Sequence, residues 1–350
     1  MSTPPNERPR RQVASSRATG SVTLADVAKL AGVSPITVSR VVNRPELVTA
    51  NTLAHVQQVI ERTGYVPNLL AGGLASKRTR LVAALVPSIT NAIFVEAVQA
   101  LTDRLWEAGY QVLLGLSGYP ATREDALLAA VLSRRPDAIY LTGINHSPEA
   151  RQRLINARIP VVETWDMTPT PIDMLVGFSH EQIGEAVARH LLAKGHRSFG
   201  LLWADDARAL ARRRGFQSEL EAGGCDQVQV VTVPAPSTLT LGRQGLSRLF
   251  EQGARPTAVF CSSDLLAHGA LEEARSRGIS VPDQLALIGF GDLEFTQHTF
   301  PALSTVRVDR AAIGRQAAEL ILSRIEGTNG DARVIDVGFE IGRASCRERV

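Results

Sequence analysis

The chain has 350 residues, of which 44% are hydrophobic and 21% are charged, so it can bury the cores of two or three domains and is not disordered throughout. No run of 18 apolar residues is present, which excludes a membrane-spanning helix, and the polar N-terminal sequence predicts no secretory signal. Three separated cysteines, Cys225, Cys261 and Cys346, form no CxxC pair. We therefore expect neither a disulfide scaffold nor a cysteine zinc site, and a reducing cytoplasm fits.

The net charge of +3 is distributed unevenly along the chain. Residues 1–80 contain eleven Lys and Arg but four Asp and Glu, which gives this segment a charge of +7 and leaves −4 for the other 270 residues. A basic segment attached to a mildly acidic body is typical of a polyanion-binding head. A solvated basic face would have the same charge, so charge alone leaves both interpretations open.

The first 79 residues divide into three segments by composition. Residues 1–20 are rich in Pro, Arg and Ser and lack periodicity, which predicts a disordered tail. Residues 21–66 have a helical pattern and form the candidate headpiece. Residues 67–79 combine proline and paired glycines with cations, the composition of a linker with some helical character.

Two short helices are predicted within residues 22–43. Thr23 and Asp26 have the spacing of a capping box, with Asp in place of Glu, and Gly32 ends the first helix. Ser34 caps the second helix, in which Pro35 occupies the first position. Two short helices joined by a turn that contains glycine predict a helix-turn-helix.

The second helix has an apolar inner face and a polar outer face. Val38, Val41 and Val42 form the inner face. The outward residues, which are types that contact bases and phosphates, are Ile36, Thr37, Ser39, Arg40 and Asn43. A pair of core helices would share the capping and the periodicity, but the outward polar set and the basic charge favour DNA binding.

From Leu81 onward, short apolar runs alternate with segments of helical length. Examples are LVAALVP (81–87), DAIYLTG (137–143) and TAVFCSS (257–263), among nine such runs. Apolar strands separated by helices predict parallel sheets that are covered on both faces. Nine strands favour two doubly wound lobes, with a ligand in the crevice at the carboxyl ends of the strands.

The sequence VTLADVAKLAGVSPITVSRVVN (22–43) resembles the headpiece of the LacI/GalR family of bacterial transcription regulators. The resemblance continues through a third helix near Thr49, then GYVPN (64–68) and AGGLASKRT (71–79), and covers about residues 21–340. It implies an α/β protein with an all-α helix-turn-helix headpiece and a two-lobed body similar to periplasmic binding proteins. The segments SPITVSR (34–40), PIDMLVGFSH (171–180) and FCSSDLLAHG (260–269) are most similar to the gluconate-utilisation repressor subgroup.

The resemblance implies DNA-binding roles for individual residues. Pro35, Ile36 and Arg40 occupy positions that face the major groove. The positions that contact or orient phosphates are Thr23, Ser34, Thr37, Ser39, Asn43, Thr49, Thr52 and Tyr65. Asn68, Ala71 and Leu74 lie on a hinge helix that enters the minor groove, with Leu74 as the wedge between central base pairs. Because Pro35 and Ile36 cannot donate side-chain hydrogen bonds, direct readout depends on Arg40 and on apolar contact with thymine methyl groups.

The resemblance also implies an effector site between the lobes. The matching positions are Ser88, Asn91, Phe94, Tyr119, Glu163, Arg208, Arg212, Ser263, Asp292 and Asp309. Their carboxylates, hydroxyls, aromatic ring and guanidinium groups suit a polyol or a sugar acid. Trp165 and Trp203 end predicted strands and are further candidates, and we expect one residue of the run Arg212–Arg214 to face the cleft.

Two other function classes are less consistent with the sequence. An enzyme is disfavoured because GxGxxG, GxxxxGK[ST], HExxH, GxSxG and DFG are all absent, and the histidines lack paired metal-ligand spacing. Asp205, Asp206 and Asp264, near strand ends, are interpreted as helix-capping acids. A sugar-binding protein that delivers cargo would not need residues 22–80. The presence of the headpiece therefore favours a DNA-binding regulator over this class.

We therefore predict a cytoplasmic repressor that binds a palindromic operator as a homodimer and is released by a sugar or sugar-acid effector, with no cofactor, metal or membrane partner. The first lobe is predicted to comprise about residues 80–175 and 305–325, and the second lobe about 176–304 and 326–340. Residues 341–350, IGRASCRERV, depart from the family pattern as an atypical tail. The sequence leaves open the exact effector, the direction of its effect, and a dimer or a tetramer.

Overall fold

The structure is a computed structural model that describes residues 22–66, 78–119, 121–225, 228–328 and 333–342. The chain forms two compact units, Met1–Thr79 and Arg80–Val350. Within the described residues, no helix combines the length and the apolar character needed to cross a membrane.

The first unit contains three helices, α1 (Leu24–Leu30), α2 (Pro35–Asn43) and α3 (Ala50–Thr63), with a 3-10 turn at Pro45–Leu47. The predicted capping box is confirmed: the Thr23 backbone N–H donates to Asp26 Oδ2 (2.9 Å), and the Asp26 N–H donates to Thr23 Oγ1 (3.3 Å). Gly32 adopts a φ of +61° between the first two helices, a conformation that favours glycine. Ser34 then caps α2 by accepting a hydrogen bond from the Thr37 N–H (3.1 Å).

A small valine-rich core holds these helices together. Its buried residues are Val27, Ala28, Ala31, Val38, Val41, Val56, Val59 and Tyr65. The predicted inner residues Val38 and Val41 belong to it, whereas Val42 is half-buried. Among the described residues, the opposite face of α2 is exposed.

The second unit contains two six-stranded sheets, one in each lobe. The first sheet has the order β11-β5-β4-β3-β1-β2 and the second has the order β12-β10-β9-β8-β6-β7. All neighbouring strands are parallel except β12, which runs antiparallel to β10. The strands of the first sheet are β1 (Leu81–Val86), β2 (Gln111–Leu116), β3 (Ala138–Thr142), β4 (Val161–Thr164), β5 (Met174–Gly177) and β11 (Val334–Asp336). Those of the second are β6 (Phe199–Ala204), β7 (Val228–Val233), β8 (Ala258–Cys261), β9 (Ala286–Phe290), β10 (Ser304–Arg307) and β12 (Glu340–Gly342).

Helices cover both faces of each sheet, as the continuous apolar strands predict. The first sheet lies between α4 (Val95–Glu107) with α11 (Arg310–Glu326) and α5 (Ala121–Leu132) with α6 (Pro148–Ala157). The second sheet lies between α7 (His180–Ala193) with α8 (Ala207–Ala222) and α9 (Leu239–Glu251) with α10 (Asp264–Ser276). The predicted doubly wound, two-lobed architecture is therefore confirmed.

The predicted lobe boundaries were wrong for two strands. Strand β10 was assigned to the first lobe but pairs with β9 in the second sheet, and β11 was assigned to the second lobe but pairs with β5 in the first. Each strand pairs with backbone groups of a neighbour that would otherwise lack hydrogen-bond partners. As a result the chain crosses between the lobes three times, after β5, β10 and β11.

Helices α7 and α8 approach closely at two glycines. A Cβ atom on Gly184 would lie 2.0 Å from the Arg212 carbonyl oxygen, and one on Gly215 would lie 2.1 Å from the Glu181 carbonyl oxygen. No side chain larger than hydrogen fits at either point without moving a helix. This crossing fixes the backbone of Arg212.

We predict that Gly215→Ala lowers the free energy of unfolding by about 1–3 kcal/mol, because the new methyl group overpacks the crossing. Chemical denaturation of the full chain measures the change. Ser218→Ala, on the exposed side of the same helix, is the control and should leave stability nearly unchanged. A Gly215→Ala protein as stable as the wild type would show that the helices separate freely.

Candidate nucleic-acid and effector sites

The exposed face of α2 is the candidate DNA-reading surface. Ile36 is 65% exposed, which is unusual for a large apolar side chain. Pro35, Arg40 and Asn43 are also exposed, and Thr37 and Ser39 are half-buried. The structure therefore brings the three predicted major-groove residues to the surface of one helix.

Hydroxyl groups are paired at the start of two helices of the head. Ser34 Oγ and Thr37 Oγ1 lie 2.9 Å apart at the start of α2, and Thr49 Oγ1 and Thr52 Oγ1 lie 3.0 Å apart at the start of α3. Helix N-termini present free backbone N–H groups and the positive end of the helix dipole. Hydroxyls at these positions are suited to phosphate oxygens.

Other predicted DNA-binding residues have different environments. Tyr65 is 9% exposed and packs in the head core. The Asn43 side chain donates to the Ser39 carbonyl oxygen (2.9 Å), so part of its hydrogen-bonding capacity is used within α2. Asn68, Ala71 and Leu74 lie outside the described residues.

The charge of the head is weaker than that of its flanking segments. Residues 22–66 contain four Lys and Arg and three Asp and Glu, so most of the +7 charge of residues 1–80 lies in the tail and the linker. If the described head binds DNA, it would therefore do so through directed side-chain contacts from α2 more than through its net charge.

The second unit has a cleft between its lobes, at the carboxyl ends of β1, β2, β4, β6, β8 and β9. We name its enclosed part the inner chamber. It is lined by Asn91, Ile93, Phe94, Tyr119, Trp165, His180, Asp206, Arg208, Arg212, Ser237, Ser262, Ser263, Asp264, Leu265, Phe290 and Leu293. Six of the ten predicted effector residues are in this set: Asn91, Phe94, Tyr119, Arg208, Arg212 and Ser263. The crevice position is the one expected of doubly wound sheets.

Arg212 is a buried charged group of the inner chamber. It is 4% exposed, and its guanidinium lies 3.9 Å from the centre of the Phe290 ring. Nη1 donates to His180 Nδ1 (2.8 Å), and Nη2 donates to the Ser262 carbonyl oxygen (2.9 Å). Burial lowers the pKa of Arg212 to about 10, so the group remains charged at neutral pH. Nε has no hydrogen-bond partner among the described residues, and a ligand oxygen would satisfy it.

His180 connects the two lobes while it orients Arg212. Its Nε2 lies 2.9 Å from the Trp165 carbonyl oxygen, so Nε2 donates and the unprotonated Nδ1 accepts from Arg212. Burial, followed by the charge of Arg212, lowers the pKa of His180 well below its usual value. A neutral imidazole is the form that this geometry requires.

Aromatic side chains form one wall of the inner chamber. Phe94 meets Trp165 edge to face with ring centres 5.1 Å apart, and the guanidinium of Arg208 lies 5.2 Å from the centre of the Phe94 ring. Because Arg208 is on α8 and Phe94 belongs to the first lobe, this contact also joins the lobes. Trp203 does not line the chamber: it is buried in the core of the second lobe, 5.1 Å from Phe260 between ring centres.

Asp264 lines the chamber and is not the helix cap that the sequence predicts. Ser263 caps α10 instead, by accepting from the Leu266 N–H (3.3 Å). The buried Asp264 carboxylate accepts hydrogen bonds from the Leu293 N–H (2.8 Å) and Thr305 Oγ1 (2.5 Å). Burial raises the pKa of Asp264 to about 6 despite these bonds. The Asp206 prediction was correct, since its Oδ1 accepts from the Ala209 N–H (2.9 Å) at the start of α8.

Four predicted effector residues do not line the inner chamber. Ser88 Oγ lies 2.7 Å from Thr90 Oγ1 within its own loop. Asp309 caps α11 by accepting from the Ala312 N–H (2.8 Å), and Asp292 has a φ of +51° with its Oδ2 3.9 Å from Arg307 Nε. The fourth residue, Glu163, belongs to a separate buried cluster. In each case local capping or pairing occupies a polar group that the family position assigns to the ligand.

Glu163 forms a buried ionic cluster with His146 and Glu124. His146 Nδ1 lies 2.5 Å from Glu124 Oε1, and its Nε2 lies 3.4 Å from Glu163 Oε1, while Glu163 Oε2 accepts from the Ile172 N–H (2.6 Å). Burial alone would lower the pKa of His146, but the hydrogen bonds and charges of the two carboxylates raise it to about 9. His146 is therefore an imidazolium that joins α5, β4 and the loop after β3.

Several chamber residues were not predicted, because no motif in the sequence distinguishes them from other residues near strand ends. Phe290 ends β9, Ser262 directly follows β8, and His180 begins α7 three residues after the end of β5. Because strand ends in doubly wound sheets border the ligand crevice, their position was the available signal. Of the run Arg212–Arg214, Arg212 faces the chamber, Arg213 bonds Gln217, and Arg214 bonds Glu181 at the surface.

Comparison with known proteins agrees with this geometry. The HTH-type transcriptional regulator GntR of Pseudomonas aeruginosa is 38% identical over 327 residues, which cover 93% of this chain and 95% of that protein. Residues 23–68 match the model of bacterial regulatory proteins of the lacI family. The chain belongs to the lacI family. Residues 188–346 of this lacI-family regulator match a periplasmic binding protein-like domain.

Solved structures show the same relationship. A LacI-family transcriptional regulator from Silicibacter pomeroyi has a TM-score of 0.87 at 34% identity, covering 92% of this chain and 98% of that one. The transcription regulator GntR from Chromobacterium violaceum has a TM-score of 0.71 at 38% identity, covering 75% and 97%. This lacI-family protein is a DNA-binding transcriptional regulator, and its relatives are named as regulators and not as enzymes.

The Glu124–His146–Glu163 cluster predicts a pH-dependent stability. Because the folded pKa of His146 is raised from 6.5 to about 9, its contribution is complete below pH 6.5 and is lost as the pH rises through 9. The contribution amounts to up to roughly 3 kcal/mol. Denaturant titrations of wild type and His146→Gln between pH 6 and 10 should show a stability difference that shrinks across this window.

His196→Gln is the matched control, because His196 is half-exposed and lies 3.0 Å from Thr257 Oγ1 without a carboxylate partner in the hydrogen bonds described. A constant difference between wild type and His146→Gln over the whole pH range would mean that His146 is not charged in the folded protein.

Proposed function

We propose that this regulator is a cytoplasmic repressor that binds a palindromic operator as a homodimer and is released by a small sugar acid, gluconate or a close relative. The observation that carries the proposal is the presence in one chain of an exposed recognition helix and of a two-lobed cleft around a buried, charged Arg212. One head contacts one half-site, so a two-fold dimer is the arrangement that matches a palindrome.

On the DNA side, Arg40 is assigned to the O6 and N7 atoms of a guanine in each half-site. A guanidinium fork contacts both acceptors at once, which the apolar Ile36 beside it cannot do. Ile36 and Pro35 are assigned to thymine methyl groups. The hydroxyls of Thr23, Ser34, Thr37, Thr49 and Thr52 are assigned to phosphates, and Asn68, Ala71 and Leu74 to the minor groove.

On the effector side, the inner chamber suits a hydroxylated anion. Arg208 and Arg212 are balanced there by Asp206 and Asp264, so the chamber has no strong net charge that would repel a carboxylate. The free Nε of Arg212 offers a donor, while Asn91 and Ser263 offer partners for hydroxyls. Gluconate itself is favoured by the similarity of residues 34–40, 171–180 and 260–269 to the gluconate-utilisation repressor subgroup.

The two functions are coupled through the arrangement of the lobes. The contacts of Arg208 with Phe94 and of His180 with Trp165 join the lobes around the inner chamber, so an effector that binds there changes the relative stability of lobe arrangements. By linkage, effector and operator must weaken each other equally if the effector releases DNA. A typical coupling of about 1–3 kcal/mol corresponds to roughly 5- to 150-fold in affinity.

Arg40→Ala is predicted to cost about 1–3 kcal/mol in operator affinity and to relax selectivity at one base pair of each half-site. The measurement is operator titration against a panel of single-base variants at fixed salt. Arg62→Ala, an exposed cation in the last turn of α3, is the control and should keep the selectivity of the wild type. Unchanged selectivity in Arg40→Ala would remove Arg40 from base readout.

Arg212→Lys is predicted to weaken gluconate binding by about 2 kcal/mol or more, because an ammonium group cannot reproduce the fork that bonds His180 and Ser262 and leaves Nε for the ligand. Operator affinity without effector should stay close to that of the wild type. Isothermal calorimetry and operator titration measure the two quantities, with Arg213→Lys as the control. If Arg212→Lys binds gluconate as tightly as the wild type, Arg212 does not contact the effector.

A further inference from the structure

The cleft continues beyond the inner chamber into a second cavity, which we name the outer chamber. Both chambers are lined by Tyr119, Asp206 and Arg208, so these three residues form the passage between them. The remaining wall is built from the loops after β1, β2 and β3, from the start of α8 and from Glu124 on α5. A molecule held by Arg212 can therefore extend past Arg208 into the outer chamber.

The two chambers differ in size. The volume open to the centres of water molecules is about 50 Å³ in the inner chamber and about 280 Å³ in the outer chamber. Since one water needs about 10–15 Å³ of such volume, the inner chamber has room for roughly four waters and the outer chamber for several times as many. A six-carbon acid has more non-hydrogen atoms than the inner chamber has room for waters, so it must extend into the passage, and the larger outer chamber keeps space for a further group.

The lining of the outer chamber is hydroxyl-binding in character. Thr142, Asn145 and Asp205 provide hydroxyl, amide and carboxylate groups, and the Tyr119 ring is 39% exposed. A carboxylate accepts hydrogen bonds from sugar hydroxyls, and an amide both accepts and donates them, while an accessible aromatic ring packs against the C–H face of a pyranose.

The charge of the outer chamber disfavours an anion. Glu124, Asp205 and Asp206 contribute three carboxylates, against the single guanidinium of Arg208 among the lining residues. His146 pairs with Glu124 and balances its charge, so Asp205 and Asp206 leave an excess of one negative charge over Arg208. A phosphate placed here would face like charges, whereas a neutral polyol would not.

We propose that the outer chamber is a second subsite that takes a neutral glycosyl unit joined to the sugar acid, so that the regulator responds to glycosylated aldonic acids. The inference rests on the proposed function, because it requires a sugar acid in the inner chamber. The acid end bonds Arg212, the chain passes Arg208, and the sugar ring lies between Tyr119 and Asn145.

The test is calorimetric titration of the full chain with gluconate, with 6-phosphogluconate, and with three 4-O-glycosyl gluconates, namely maltobionate, cellobionate and lactobionate. At least one glycosyl gluconate is expected to bind about tenfold more tightly than gluconate, which corresponds to 1.4 kcal/mol. Asn145→Ala should reduce that advantage about fivefold, and Asn145→Trp, which fills the chamber, should remove it. Both variants should bind gluconate within about twofold of the wild type, since Asn145 does not line the inner chamber.

Asn156→Ala is the matched control, because Asn156 is an exposed asparagine on α6 outside both chambers and should change no affinity. If gluconate binds but all three glycosyl gluconates bind more weakly, the second subsite is refuted while the proposed effector class survives. Tighter binding of 6-phosphogluconate than of gluconate would also refute a neutral subsite. If none of the five compounds binds, the sugar-acid effector and the subsite are both refuted.

Discussion

The buried guanidinium of Arg212 is the group around which the effector-binding unit is arranged. A charge with 4% exposure is stable in a protein only when most of its donors are satisfied and its solvation is replaced. Here the Phe290 ring, the Ser262 carbonyl and a neutral His180 provide this environment. His180 in turn takes the required tautomer because its other nitrogen donates to Trp165 in the opposite lobe. Because the Arg212 charge is buried, it needs partners, and these partners connect both lobes to the residue that we assign to the effector.

The head is organised by local capping instead of by a large core. Its eight buried residues are mostly valine and alanine, so little apolar area is available to hold three helices. The capping box of Thr23 and Asp26 and the Ser34 cap satisfy backbone N–H groups that would otherwise be unpaired. The hydrogen bonds that start the helices also place hydroxyls where a phosphate backbone would approach. Folding and the proposed recognition of DNA would therefore share the same side chains.

Much of the fold and part of the site were predictable from the sequence. The helix-turn-helix and all nine apolar strand runs were found because capping residues and apolar runs are local signals. The short strands β10 to β12 carry no comparable signal, and only pairing with distant neighbours decides their lobe.

The environments of single side chains were also not predictable from local sequence, as Glu163 and Asp309 show. Their sequence positions match a ligand site, but His146 and the first turn of α11 engage their carboxylates. Asp264, in contrast, was not predicted to line the ligand site. Its burial follows from the packing of β9 and β10 around it, which the sequence does not reveal.

The three crossings between lobes also affect the order in which the molecule can be completed during synthesis. The first lobe begins with β1 at Leu81, yet its last strand, β11, ends at Asp336, and α11 joins it only after β10 has been made. Until those late residues leave the ribosome, one edge of β5 and the face beneath α11 are exposed to other chains. The second lobe likewise waits for β12. Neither lobe can therefore reach its native state as an independent nascent domain, and a ribosome that stops early would release two unfinished sheets instead of one finished lobe.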